Sequence, residues 1–384
     1  MLLPGPVATL RLAEMGADVL KIEPPGTGDA ARMMMQSAAD EVAARPGAFY
    51  RLVNRGKRET RLDLKSEGGR AVLLALARDA DVLVESFRPG VMDRLGVGYE
   101  ALRAINPKLV YCAISGYGAE GPFADRAGHD LNYIGYAGVL DQLAGRDGVP
   151  VLPNIQIADL LGGALSAVTQ ILAALWQVGR GGEGRFVDIS MAHASYANNV
   201  VAQVALANDD AAALQPGGGL LNGGVPCYNL YRTQDGRWLA VGALELKFWQ
   251  ALCRALGREE WMERHWSLGQ AIGGADAVAL TRELAAVIEA ESLQTWIDRL
   301  EPVDCCATPV LTPGEAARHP LFNPEVLQQT LAARQAALKP QPGMGTGLQR
   351  TGGVAAPQAG TTGAGSGPGT SAAGNKPFTY GPWG

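Results

Sequence analysis

Gly69-Arg-Ala-Val-Leu-Leu-Ala-Leu-Ala-Arg-Asp-Ala80 runs straight into Asp81-Val-Leu-Val-Glu85, and that junction decides the fold. In the first piece Val72, Leu73, Leu76 and Ala77 recur at helical spacing, which predicts an amphipathic helix. The second piece is a short apolar run, the pattern of a strand buried on both faces. The alternation continues on both sides. Upstream, Val7 to Met15 has helical spacing and stops at Gly16, before the strand Ala17-Asp-Val-Leu-Lys-Ile22. Downstream, Tyr99 to Ile105 is a short helix closed by Asn106-Pro107, and Leu109-Val-Tyr-Cys-Ala-Ile114 is another strand. Asp159 is placed to cap an apolar helix over Leu160 to Trp176. The strand Arg185-Phe-Val-Asp-Ile-Ser190 then feeds a helix reaching about Leu206. Strands apolar on both faces, alternating with helices, imply an α/β fold built on a doubly wound, mostly parallel sheet.

The character changes after a Gly-rich loop over Gln215 to Pro226. Tyr228-Asn-Leu-Tyr-Arg232 and Trp238-Leu-Ala-Val241, joined through Gln234-Asp-Gly236, predict a hairpin. Helices at Leu246 to Ala255, Ala277 to Glu291 and Ser292 to Glu301 complete a smaller α+β domain. The expected organisation is a large domain over 1–190, a linker helix and loop over 191–225, and the small domain over 226–308. A return segment follows over 309–338, then a disordered tail over 339–384. Residues 341–384 hold no acidic residue and are rich in Gly, Pro, Thr and Ala, too little apolar surface to offset chain entropy.

Composition narrows the function classes. The charge is −5, from 33 basic and 38 acidic residues, which argues against a non-specific nucleic-acid binder. The longest apolar stretch, Leu160 to Trp176, is interrupted by Gly162, Gly163, Ser166, Thr169 and Gln170, so no membrane association is expected. The start lacks the basic region of a secretory signal, and the five cysteines are scattered without metal-ligand spacing. Reduced thiols in a cytoplasmic protein without a bound metal are the expectation.

Several segments carry chemistry. Arg51-Leu-Val-Asn-Arg-Gly-Lys-Arg-Glu-Thr-Arg61 holds five basic residues, with Arg55 and Arg58 among them. In an acidic protein such a cluster suits a small polyanion, and guanidinium forks suit phosphate. Arg88 follows the strand ending at Glu85, where ligands of open α/β sheets bind. Gly116-Tyr-Gly-Ala-Glu-Gly121 has dinucleotide-like spacing, but Pro122 prevents a helix from opening there. A tight turn offering N–H groups to a ligand is expected instead. His129 sits among small and polar residues before a helix, a setting for proton transfer. Asp159 combines a capping position with the possibility of catalysis. Spacing gives Glu245 no role beyond that of a surface acid.

Together these stretches resemble the class III CoA-transferase family over roughly residues 1–325. The resemblance rests on Leu3-Pro-Gly-Pro6 with Gly16-Ala-Asp-Val-Leu-Lys-Ile-Glu-Pro-Pro25, and on Asn54-Arg-Gly-Lys-Arg58 with Leu62-Asp-Leu-Lys65. Glu85-Ser-Phe-Arg-Pro-Gly90 with Arg94-Leu-Gly-Val-Gly98, and Gly116-Tyr-Gly118 with Gly121-Pro122, complete it. Gly128-His-Asp-Leu-Asn-Tyr133, Leu221-Asn-Gly-Gly-Val-Pro226 and Gly242-Ala-Leu-Glu245 resemble its alpha-methylacyl-CoA racemase branch.

The resemblance implies that His129 and Asp159 form the proton-transfer pair and that Glu245 supports it. It implies that Leu62, Asp63, Leu64, Lys65, Ser86, Phe87, Arg88 and Arg94 line the CoA nucleotide. Gly128, Asp130 and Tyr133 would approach the thioester. CoA enters as part of an acyl-CoA substrate, with no separate cofactor. Two chains would interlock as a homodimer, the site lying between one chain's large domain and its partner's small domain. The transferase branch offers an alternative, in which the Asp matching Asp159 is a nucleophile forming an acyl anhydride and then a CoA thioester. A third reading, an inactive product of a truncated or frame-altered gene, rests on a shortened first strand and the unusual tail.

Overall fold

In the computed structural model, residues 2–145 and 147–323 are described; the tail expected over 339–384 lies outside them. The chain divides into two compact units. Among the described residues, one runs to Val225 and takes in Ala271–Val278; the other comprises Pro226–Gln270 and the residues from Ala279 to Asn323.

The first unit contains five strands, β1 (Leu20–Glu23), β2 (Arg58–Arg61), β3 (Val82–Glu85), β4 (Val110–Ser115) and β5 (Phe186–Ser190). Every pairing between them is parallel, as expected. They form a β1–β2 pair and a β3–β4–β5 sheet, where a single sheet was expected. Ile22 of β1 and Leu83 of β3 nevertheless pack on one cluster with Leu73, Met92 and Val97. β2 escaped sequence reading because Arg58-Glu-Thr-Arg61 is polar and largely exposed; an edge strand needs no apolar run.

The middle strand shows why the sheet is covered on both sides. All six residues of β4 are buried. Val110, Cys112 and Ile114 join Val7, Ala8 and Leu12 of α1 (Pro4–Glu14) in one core. Tyr111 and Ala113 point the other way, onto Leu102, Leu109 and Ala77, the last from α2 (Glu67–Ala77). Period-2 alternation thus serves two cores, each large buried side chain contributing about 2 kcal/mol.

α3 (Asp130–Tyr136) follows β4, and α4 is the continuous helix Ala158–Gly179. The helix expected over Leu160 to Trp176 is present, continuous through Gly162, Gly163, Ser166, Thr169 and Gln170. The helix is long and apolar enough to span a membrane by length and composition. Its apolar face is nevertheless occupied: Ala164, Ala167, Val168 and Ile171 belong to the core under β4. The first eight residues, Ala158–Leu165, are wound as a π-helix, a form that concentrates at functional sites. A Cβ at Gly162 would come within 2.6 Å of the Met191 carbonyl oxygen, so only glycine allows this approach to α5 (Met191–Asn198). Residues 191–225, expected as a linker helix and loop, form α5, α6 (Val200–Ala207) and turns, and belong to the first unit.

The second unit carries the expected hairpin, β6 (Tyr228–Arg232) and β7 (Trp238–Gly242), with β8 (Ala307–Pro309) antiparallel to β7. Residues described from 309 onward remain with this unit rather than returning to the first, and Arg237 holds Glu315 at 2.8 Å. The helices are α7 (Leu246–Leu256), α8 (Ala275–Glu289), whose first turn belongs to the first unit, and α9 (Leu293–Leu300). Buried Trp249 and Trp296 donate their indole N–H groups to the Trp261 and Ile288 carbonyls, so their polar edges are satisfied.

Candidate active site

His129, Asp130, Tyr133 and Asp159 are brought together by the start of α3 and the first turn of α4. His129 is the N-cap of α3, and its backbone N–H donates to Asn132 Oδ1 at 3.0 Å. Its imidazole is exposed. The next residue, Asp130, accepts the backbone N–H of Asp159 at 2.8 Å, across 29 residues of sequence. That bond ties the His129 loop to the turn carrying Asp159. Tyr133 is buried, and its hydroxyl donates to the Gly128 carbonyl at 2.5 Å. Its ring occupies the space that side chains at Gly116 and Gly128 would need: a Cβ at either would lie 2.5 or 2.7 Å from it.

Charge inside this cluster is arranged against ionisation of its acids. Burial, reinforced by the Asp130 charge, pushes the Asp159 carboxyl up to about 6. Burial also raises Asp130, opposed by the N–H groups of Asp159, Ala158 and Ile157. Tyr133 is pushed up to about 12 by burial, with Tyr117 and Asp159 adding and Arg88 opposing. Arg88 is exposed and has no ion-pair partner among the described residues.

The loop carrying Arg88 is built on Glu85, at the end of β3. Its carboxylate accepts the Phe87 N–H at 2.7 Å, and burial pushes its titration up to about 7. Ser86 lies against α1: a Cβ on Gly5 would sit 3.1 Å from its hydroxyl. Lys57 pins the same end of α1, donating to the carbonyls of Pro6 (2.8 Å) and Val53 and to Asn54 Oδ1. Burial lowers the Lys57 amine to about 7. Sequence reasoning singled out neither Glu85 nor Lys57 as an individual group, since their surroundings come from elements distant in the chain.

The other expected ligand residues divide into two sets. Leu62, Asp63, Leu64 and Lys65 form the loop between β2 and α2. There the Leu62 N–H donates to the Glu23 carbonyl, Asp63 accepts the Lys65 N–H at 3.0 Å, and Leu64 packs against the cluster of Leu73, Met92 and Val97. Lys65 is exposed, and neither it nor Arg94 has an ion-pair partner among the described residues. The basic segment is different. Arg51 holds Asp40 at 2.7 Å, Arg55 is paired with Glu14, Arg58 holds Asp18 at 2.6 Å, and Arg61 donates to the Gly26 carbonyl. These cations already have internal partners. The glycine turn is similarly engaged: the Gly118 N–H donates to Ser115 Oγ and the Ala119 N–H to Asp188, each at 2.9 Å, rather than pointing free toward a ligand.

Glu245 lies in the second unit, at the N-cap of α7, its carbonyl accepting the Phe248 N–H at 3.0 Å. The exposed Cys306 lies within the influence of its charge.

The site residues stand on motifs whose order along the chain matches one sequence family. The model of CoA-transferase family III matches residues 1–364. The chain belongs to CoA-transferase family III. Within that family it is 34% identical to the human alpha-methylacyl-CoA racemase over 322 residues, 83% of this chain and 77% of the relative. It is 33% identical to the acetyl-CoA:oxalate CoA-transferase of Acetobacter aceti over 326 residues, 83% of this chain and 80% of that one. A CAIB/BAIF family protein from Brucella suis, known from its crystal structure, shares the fold with a TM-score of 0.68 at 28% identity, over 84% of each chain. Family III therefore places the chain among enzymes with racemase and CoA-transferase relatives.

Proposed function

We propose that this family III member is an acyl-CoA racemase or epimerase, moving a proton at the carbon alpha to the thioester. The observation that carries the reading is the Asp159 carboxyl, raised to about 6 and tied through Asp130 to the loop of His129. A group that gains and loses a proton near neutrality is what general acid–base exchange needs. The thioester carbonyl acidifies the α-hydrogen. One of His129 and Asp159 removes it from one face, and the other returns a proton to the opposite face. Glu245 supports the pair. Arg88, Lys65 and Arg94, cations without ion pairs among the described residues, bind the CoA phosphates. CoA enters as part of the substrate, and the proton transfer itself calls for no redox group.

The proposal includes a homodimer in the cytoplasm. Val200, Val201, Val204 and Leu206 of α6 are each more than half exposed, an apolar face suited to a second copy. Sedimentation should give twice the monomer mass.

Incubation with a 2-methylacyl-CoA in D2O tests the chemistry. Deuterium should enter at the alpha carbon, and no uptake across a panel of acyl groups would defeat the reading. CoA transfer is the second reading, favoured by the same Asp159, which at pH 7 is mostly ionised and able to attack an acyl group. Mass spectrometry during turnover would then find an Asp159 acyl or CoA adduct.

A further inference from the structure

The resemblance assigns Asp130 to the CoA side of the site, but its carboxylate is turned to another task. We propose that Asp130 is a positioning residue for Asp159: its carboxylate clamps the first turn of α4, fixing the Asp159 backbone and placing a second negative charge beside the Asp159 side chain. The inference rests on the reading of Asp159 as an acid–base group and adds what orients and tunes it.

Three observations converge. Asp130 Oδ1 accepts the Asp159 N–H at 2.8 Å, and the Ala158 and Ile157 N–H groups also stabilise the same carboxylate. These are the N–H groups that a helix start leaves without intrahelical partners. The turn they belong to is π-wound, so Asp159 does not stand on an ordinary α-helical scaffold that would place it without help. Finally, Ile157, the N-cap of this turn, offers no side-chain cap of its own. A cap from 29 residues away replaces the local Ser, Thr or Asp that helices ordinarily use.

The arrangement puts two carboxylates at one helix start. Their repulsion favours a proton on one of them, whereas the N–H groups favour charge on Asp130. Of the two carboxylates, Asp130 is the one whose charge those N–H groups stabilise, and Asp159 feels that charge beside it. Other charges act here too: the amino-terminal charge lowers Asp159, opposing Asp130, and the exposed His129 precedes Asp130 in the chain. Tyr133 of α3 donates to Gly128, and Tyr136 accepts from Arg126. His193 of α5 bonds Ser190, Asp188 of β5 accepts the Ala119 N–H, and Arg11 and Glu14 of α1 pair with each other. Arg88, the nearby cation, acts on Tyr133. Asp130 is thus the charge whose removal should move Asp159.

The test uses the full-length protein with 13C-labelled aspartate carboxyls, the Asp159 signal being identified by its loss in Asp159→Asn. In Asp130→Asn, which keeps an acceptor oxygen but drops the charge, the Asp159 titration should move down from about 6 while staying above the ordinary aspartate range, since burial, the larger cause, is unchanged. The acid limb of α-deuterium exchange should move with it. Asp130→Ala, checked for folding by its thermal melt, should lower kcat roughly 100-fold with KM for a 2-methylacyl-CoA within about threefold. An unmoved Asp159 titration in Asp130→Asn overturns the proposal. So does a raised KM with intact kcat in Asp130→Ala, which would return Asp130 to CoA binding. The titration needs no turnover. If the wild type exchanges no deuterium while the Asp159 signal still shifts, the racemase reading fails and the positioning contact stands.

Discussion

The first unit contains two clusters of ionisable groups with opposite designs. Around β1 and β2, acids face bases: Glu23 is bonded by Arg32 at 2.7 Å, and Arg32 reaches Glu59 at 2.5 Å. The Tyr50 hydroxyl, with one proton to share, lies within hydrogen-bond reach of both Glu23 and Glu59. Although burial alone would raise Glu23, the bonds from Arg32, Tyr50 and the Asp29 N–H bring it below the usual carboxylate range. At the start of α4, acid faces acid, and Asp130 and Asp159 both stand above that range. The first cluster gains stability from its charges. The second gives up stability to keep a proton exchangeable near neutrality, the signature of a working site.

The comparison breaks most sharply at Asp159. Asp159→Asn should reduce α-deuterium exchange by about a thousandfold, while its melting temperature rises. The sign follows from linkage. A carboxyl raised in the folded state costs stability above its folded value of about 6, and the cost disappears as pH falls below its unfolded value. A fall in melting temperature would show that the charges at α4 are structural after all. In the wild type, exchange with Asp159 as base should fall off below about pH 6, where that carboxylate protonates.

Arg32→Ala is the matching test of the other cluster. It strands the buried Glu23 carboxylate and should cost about 3 kcal/mol in urea unfolding. Glu23, being lowered, adds stability above its unfolded value and loses it as pH falls through its folded one, so the wild-type advantage should shrink in acid. A loss independent of pH would assign the effect to packing alone.

The smallest effects separate free cations from engaged ones. Arg88→Ala should raise KM for acyl-CoA about tenfold through a lost phosphate contact. Arg55→Ala and Arg58→Ala should change it by less than about twofold, since these guanidinium groups already hold Glu14 and Asp18 at exposed positions. Equal effects at all three would mean that CoA displaces the internal pairs, and the distinction between the two basic regions would dissolve.

The strand and helix order along the first unit was legible because burial on both faces leaves apolar runs that need no partner to be recognised. β4 is the clearest case: all its residues are buried, and Val110 to Ile114 alternate between two cores. His129 and Asp159 were legible as types at fixed spacing within a family pattern. β2 was not, because a polar edge strand carries no periodic signal. The helix after β5 was legible to about Leu206, but not its division at Asn199 into α5 and α6.

The sequence by itself determined the alternation that builds the parallel strands, the antiparallel hairpin of the second unit, and the order of motifs that places the chain in family III. Tertiary structure alone decided which charges are paired among the described residues. Arg55 meets Glu14 across 41 residues and Asp130 meets Asp159 across 29. A charge becomes a clamp, a ligand or an acid according to what lies within a few ångströms of it, and that distance is set by the packing of elements remote from one another in the chain.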